Sequence, residues 1–209
     1  MKDKYETEVK AYRPAQYQIN PLFNNRWSPR SMTGEGLKDE ELLPLFEAAR
    51  MAPSSYNGQP WKFLYAKRDT PTWDLFYNLM IDFNKQWTKN AAVLVVVISR
   101  KTFEHNNKPA RTHSFDAGAA WMSLALEATD RGLMTHGMEG FDYDKARRDL
   151  EIPEDYTVEA MIAIGKRGPA DNLPDEMKKR EHPSPRKPLE EVAQVGKFRK
   201  AASDKSRAA

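Results

Sequence analysis

A chain of 209 residues, 40% hydrophobic and 30% charged, is long enough for one domain with a buried core. It has no cysteine, which excludes disulfides, iron–sulfur ligation and thiol nucleophiles; its four histidines (His105, His113, His136, His182) are too scattered for a metal-ligand set, so no metal is expected. The net charge of +3 is uneven, with ten Lys/Arg against five Asp/Glu over 176–209, and no apolar run reaches membrane-spanning length, so a cytoplasmic protein with a solvated basic tail is expected.

Residues 1–25 are polar with scattered tyrosines and sustain no period. They read as an extended N-terminal arm lying on a subunit surface. From Asp39 to Met51 the apolar positions Leu42, Leu45, Phe46 and Ala49 recur at helical spacing, with Pro44 predicting a shifted start or a kink and Pro53 marking the stop. Trp61 to Ala66 reads as a strand and Thr72 to Met80 as a helix, while Phe83 to Trp87 reads as a polar–aromatic connection. The β-branched run Val93 to Ile98 predicts a central strand covered on both faces.

Arg100 to Arg111 reads as a loop. Ser114 is placed to cap a helix from Phe115 to Arg131, whose apolar residues lie nearly all round and predict burial. Leu133 to Met138 is short and extended, Asp142 is a cap for a helix from Tyr143 to Leu150, and Tyr156 to Gly165 alternates as a second core strand. Beyond Gly168-Pro169 the chain turns proline- and charge-rich, with a helical turn at Pro188 to Val192; the basic stretch 193–209 is expected to be disordered.

Two loops carry chemistry. Asn25-Arg26-Trp27-Ser28-Pro29-Arg30-Ser31 sets two arginines and two serines together, and the guanidinium fork suits a phosphate. Ala52-Pro53-Ser54-Ser55-Tyr56-Asn57-Gly58-Gln59-Pro60-Trp61 lies between a helix and a strand, with side chains and free N–H groups able to hold a polar ligand. No nucleophile triad, glycine-rich nucleotide fingerprint, phosphate-binding P-loop or paired-carboxylate pattern is present. An enzyme built this way relies on a bound cofactor, and the two loops are expected to enclose one flat, phosphorylated group. Trp87 and Trp121 read as core, and His113 as a residue opening its helix.

These stretches resemble one family. Arg26-Trp27-Ser28-Pro29-Arg30 is similar to the N-terminal Arg-x-Ser-x-(Arg/Lys) motif of the nitroreductase family of flavoenzymes, and 52–61 resembles its Pro-Ser-Ser-x-Asn-x-Gln-Pro-Trp loop. Glu139-Gly140-Phe141-Asp142 with Leu150-x-Ile152-Pro153 resembles its Gly-Phe-Asp…Leu-Pro segment, and Arg186-Lys187-Pro188-Leu189-Glu190-Glu191 its C-terminal basic motif. The resemblance covers 26–192 and implies an α+β fold: a central, mostly antiparallel sheet flanked by helices, in an intertwined homodimer with FMN at the interface.

It further implies NADH or NADPH as electron donor, small acceptors such as nitroaromatics or quinones, and ping-pong turnover. Arg26, Ser28, Arg186 and Lys187 would hold the phosphate end, with Trp27 inside the same motif. Arg30 would lie near the pyrimidine edge of the flavin. Pro53, Ser54, Ser55 and Asn57 would come from the partner chain, with Gln59 near the ribityl chain or ring. Asn84, Met138, Glu139 and Gly140 would line the ring. Trp27 and Trp87 stand where basic residues are usual, which leaves Arg30 as the main group to stabilise reduced flavin and Lys85 as a weak substitute; Glu139 is a second candidate tuning residue. A specialised dehydrogenase or reductive dehalogenase of the same fold, and a non-enzymatic anion- or nucleic-acid-binding protein, remain as alternatives.

Overall fold

A computed structural model describes residues 8–199 of the chain. Its centre is a four-stranded sheet in the order β1-β2-β4-β3, every pair antiparallel. The strands are β1 (Trp61–Lys67), β2 (Val93–Arg100), β3 (Leu133–Met138) and β4 (Tyr156–Lys166). In β2, Val93 through Ser99 are all buried, as its unbroken apolar run requires of a strand with neighbours on both edges and layers on both faces.

Each face of the sheet has its own core. On one, α2 (Asp39–Arg50) and the long α5 (His113–Asp130) bring Leu42, Leu45, Ala49, Ala117, Ala120 and Leu124 against Val93, Val95 and Val97. On the other, α3 (Trp73–Tyr77), α4 (Asp82–Thr88) and α6 (Tyr143–Asp149) supply Phe76, Trp87 and Ala146 against Leu94, Val96 and Met161. Pro44 neither breaks nor delays α2. The helix opens at Asp39 with Glu41 accepting the Lys38 N–H (2.9 Å), and Pro44 costs only one backbone bond.

Several expectations are corrected. Residues 8–12 are helical and Pro21–Asn25 form α1, capped by Asn20, so the arm is not extended. It is also docked: Val9 and Arg13 are buried, and Tyr12 stacks on His182 at 4.7 Å. Phe83 to Trp87 is helical rather than a connection, because Asn84, Trp87 and Thr88 share one buried face at i, i+3, i+4. The helix expected to end at Met80 stops at Tyr77, and Met80 instead bridges Phe141. Ser114 is not a cap: α5 starts at His113 and the Ser114 hydroxyl turns to Glu159 (2.7 Å).

The proline-rich stretch after Gly168 packs down through Leu173 and Met177, with a helical turn α7 (Asp175–Lys178); α8 (Leu189–Val192) matches the expected final turn. Residues 193–199 lie exposed, and the expectation of disorder over 200–209 falls outside the described residues.

Candidate functional site

The first motif leaves α1 and crosses to the sheet, where Met32 bridges Arg167. Its backbone is gripped by a residue that sequence reasoning did not single out. Glu181 accepts the N–H groups of Arg30 (2.8 Å) and Ser31 (2.8 Å), while the Ser31 hydroxyl donates to Pro169 O (2.5 Å). Gly168 makes this approach possible, since a Cβ there would fall 2.7 Å from the Met32 carbonyl. With backbone donors consumed by Glu181, the motif offers side chains outward. Trp27 is buried under the Arg167 guanidinium, 5.1 Å from the ring centroid, where a basic side chain would repel Arg167.

Three guanidiniums converge here. Arg13, from the arm, is buried and donates to Ser184 O (2.8 Å) and Arg26 O (2.9 Å), tying the first motif to the C-terminal segment. Arg26 donates to Ser28 Oγ (3.4 Å), and Arg186 to the Ser184 and Pro185 carbonyls. Burial, then the charges of Arg186 and Arg26, lowers the Arg13 pKa to about 10. Burial and Arg186 lower that of Arg26 as well. Among the described residues no ion pair to a carboxylate involves any of the three. Mutually repelling, partly desolvated cations of this kind are stabilised by an anion. Lys187, exposed, follows Arg186.

His136 on β3 links this cluster to the next group. Its Nδ1–H donates to Pro29 O (3.0 Å), and its ring lies 4.7 Å from that of Trp87. Burial lowers its pKa to about 4, with Arg30 and Arg26 adding to the shift against the Pro29 hydrogen bond. Trp87 Nε1 in turn donates to Asn84 Oδ1 (3.3 Å), and Asn84 Nδ2 to Gly140 O (2.9 Å). A Cβ on Gly140 would lie 2.7 Å from Asn84 Nδ2, so Gly140 lets the amide in. Met138 is buried at the end of β3, and Glu139 is exposed. Trp87, read from the sequence as a lost lysine, is thus the wall between Asn84 and His136. The structure brings Arg26, Ser28, Arg30, Asn84, Met138, Glu139, Gly140 and Arg186 to one side of the fold.

The second loop stands elsewhere. Asp116 on α5 accepts Ser55 N–H (3.1 Å), Ser54 Oγ accepts Gln59 N–H (3.0 Å), and Arg100 N–H holds Pro60 O (2.9 Å). Tyr56, Asn57 and Gln59 have φ of 51°, 52° and 43°, a left-handed run costly for side-chain-bearing residues and tolerated where it is held from outside. Pro53, Asn57 and Gln59 face solvent, and Tyr56 is 86% exposed. Where the loop joins the sheet, Trp61 pairs with Ser99 and Ser99 with Thr157, whereas His136 pairs with Ala163. That offset is about 20 Å along β4 and about 14 Å across three strand spacings. Among the described residues no hydrogen bond joins the second loop to the first motif.

This sheet, with two helical layers and these motifs in this order, defines an α+β flavoenzyme-type fold, and the chain belongs to the nitroreductase family: the sequence model of that family matches residues 24–166. A solved structure described as an oxidoreductase containing FMN is 46% identical, with a TM-score of 0.86, over 90% of this chain and 96% of that one. An FMN-dependent nitroreductase from Clostridium difficile R20291 is 25% identical, with a TM-score of 0.56, over 69% and 84% of the two chains. Protein DrgA of Synechocystis sp. is 29% identical over 161 residues, 63% of this chain and 75% of its own. Among the described residues no helix is long and apolar enough to cross a membrane, and no cluster of acidic residues and histidines could hold a metal.

Proposed function

We propose that the protein is an FMN-dependent NAD(P)H oxidoreductase that reduces small acceptors such as nitroaromatics or quinones, working as a homodimer with FMN at the interface. The observation that carries this reading is the cluster of Arg13, Arg26 and Arg186, without a carboxylate partner among the described residues and linked through Pro29, His136 and Trp87 to the Asn84–Gly140 amide pair. FMN supplies hydride acceptance and donation when bound. Arg26, Ser28, Arg186 and Lys187 hold its phosphate, and Arg30 favours negative charge on the pyrimidine edge. Asn84, Met138, Glu139 and Gly140 line the ring.

A second copy fits the rest of the molecule. The outward Pro53, Asn57 and Gln59, with the half-buried Ser54 and Ser55, are too far round the sheet to serve their own chain's arginines, and they complete the site of a partner. α5, expected to be buried nearly all round, buries Asp116, Ala117, Ala120, Leu124, Ala125 and Ala128 on one face and leaves Phe115 (79%), Gly118 and Met122 (36%) exposed on the other, an apolar face that a second subunit covers. The test is the visible absorption of the purified protein before and after anaerobic NADPH. A flavin spectrum bleached by NADPH is expected. A colourless protein that takes up no added FMN would overturn the reading.

A further inference from the structure

Four polar side chains converge under the second loop, outside the residues assigned to FMN. Glu159 sits at a β-bulge: Val97 pairs with Ala160 and Ile98 with Val158, so Glu159 has no cross-strand partner on β2 and its side chain is re-aimed. Its Oε1 accepts the hydroxyl of fully buried Ser99, a very short contact, and that of Ser114 (2.7 Å). His113 Nδ1 lies 2.7 Å from Ser99 Oγ and 3.6 Å from Glu159 Oε1. Each hydroxyl has one proton, and both go to Glu159. Nδ1 must therefore be the donor to Ser99 Oγ, which leaves Nε2 as the exchangeable nitrogen. Among the described residues Nε2 has no hydrogen-bond partner, and the ring is 19% exposed.

The network lies between the two anchors of the second loop. Ser99 is the cross-strand partner of Trp61, where the loop ends, and His113 is one turn before Asp116, which holds Ser55 N–H. A bulge, a buried serine and a carboxylate holding one imidazole in one tautomer exceed what starting a helix requires. From this geometry we infer that His113 is the proton donor to the electron acceptor in the partner subunit's site, with Glu159 and Ser99 as its positioning residues. The inference rests on the FMN reading and deepens it: the acceptors served are those that take a proton on oxygen.

The balance is simple. A quinone that receives one hydride needs one proton to become a hydroquinone. A nitro group that receives one hydride needs one proton to become a nitroso group and water. In the His113 imidazolium the Nε2–H bond breaks, an O–H bond forms on the acceptor, and the Nδ1–H imidazole left behind regains a proton at Nε2 from solvent. The charged and titratable groups around the ring are Glu159 from β4 and Asp116 on its own helix. Tyr143 of α6, raised by burial and then by Glu139 and Glu159, lies within reach of Glu159. Arg100, next along β2, is ion-paired with Glu104 and Asp155.

The test compares nitrofurazone, which needs the proton, with ferricyanide, which accepts electrons alone. In His113→Gln holoprotein the ratio of nitrofurazone to ferricyanide turnover is expected to fall about 100-fold, the scale of one general acid. Glu159→Gln removes the carboxylate that accepts from Ser99 and Ser114, so the same ratio should fall in that variant too. In flavin-free protein, nitrogen-15 NMR should show the Nδ1–H tautomer, disturbed in Ser99→Ala. Equal losses with both acceptors, an unchanged ratio, or an Nε2–H tautomer would overturn the inference. A protein that carries no flavin sinks the FMN reading instead, and the NMR result still decides whether the network holds His113 as described.

Discussion

Replacing Arg26 and Arg186 together by alanine is expected to yield a folded protein that purifies without FMN, with affinity for added FMN weakened 100- to 10,000-fold. The two guanidiniums lie within electrostatic reach of each other and near the first motif's serine, with no carboxylate among the described residues to neutralise them. A charge-assisted hydrogen bond to phosphate is worth about 1.5–3 kcal/mol, so two amount to about 3–6 kcal/mol. The fold should survive, because Arg186 is exposed, its side-chain bonds go only to neighbouring carbonyls, and Arg13 still ties Arg26 O to Ser184 O. Circular dichroism and flavin titration measure the two halves of this expectation. Wild-type FMN content in the double variant would remove the phosphate assignment.

The second large effect is acid lability set by His136. Its pKa is about 4 in the folded protein and about 6.5 in the unfolded chain. As pH falls through this window the unfolded state takes up a proton that the native state refuses. The native state therefore has its full stability above about pH 6.5 and loses it progressively toward pH 4, by on the order of 3 kcal/mol. His136→Gln keeps a donor for Pro29 O but cannot titrate. Urea unfolding at a series of pH values should show a flatter profile for the variant across that window, whatever its stability at pH 7. Parallel profiles would place the acid sensitivity elsewhere. The consequence is local as well as global, because a charged imidazolium would face Arg26 and Arg30 and loosen Pro29 from β3.

Local pattern carried much of this architecture. β2 was readable because an unbroken apolar run admits few placements, β4 because Val158, Ala160, Ile162 and Ile164 recur at every second position although 161–165 are buried without a break, and Asp142 as the cap of α6 because its carboxylate needs only the Lys145 N–H three residues on (2.8 Å). The motif residues were legible for the same reason, being short runs of unusual chemistry. What escaped acts over distance. Arg13 meets Ser184, Glu181 meets Arg30, and Asp116 meets Ser55 across 171, 151 and 61 positions, and no local signal marks any of them. Asn84 to Trp87 was misread because two exposed or polar residues precede the tryptophan, hiding a helical face that only the buried Asn84–Trp87–Thr88 contacts reveal. Glu159 escaped because a bulge breaks the alternation that reading a strand assumes.

The central claim is that each FMN is held by the arginines of one chain and the second loop of the other. Mixed dimers test it directly. Chains carrying Arg26→Ala and Arg186→Ala are co-expressed with chains carrying Asn57→Arg, a bulky group on the exposed side of the second loop, under two different affinity tags. Each variant alone should be free of flavin, and the doubly selected mixed dimer should regain one intact site with half the wild-type flavin content. A mixed dimer as colourless as its parents, or an Asn57→Arg homodimer with full flavin content, would contradict the account.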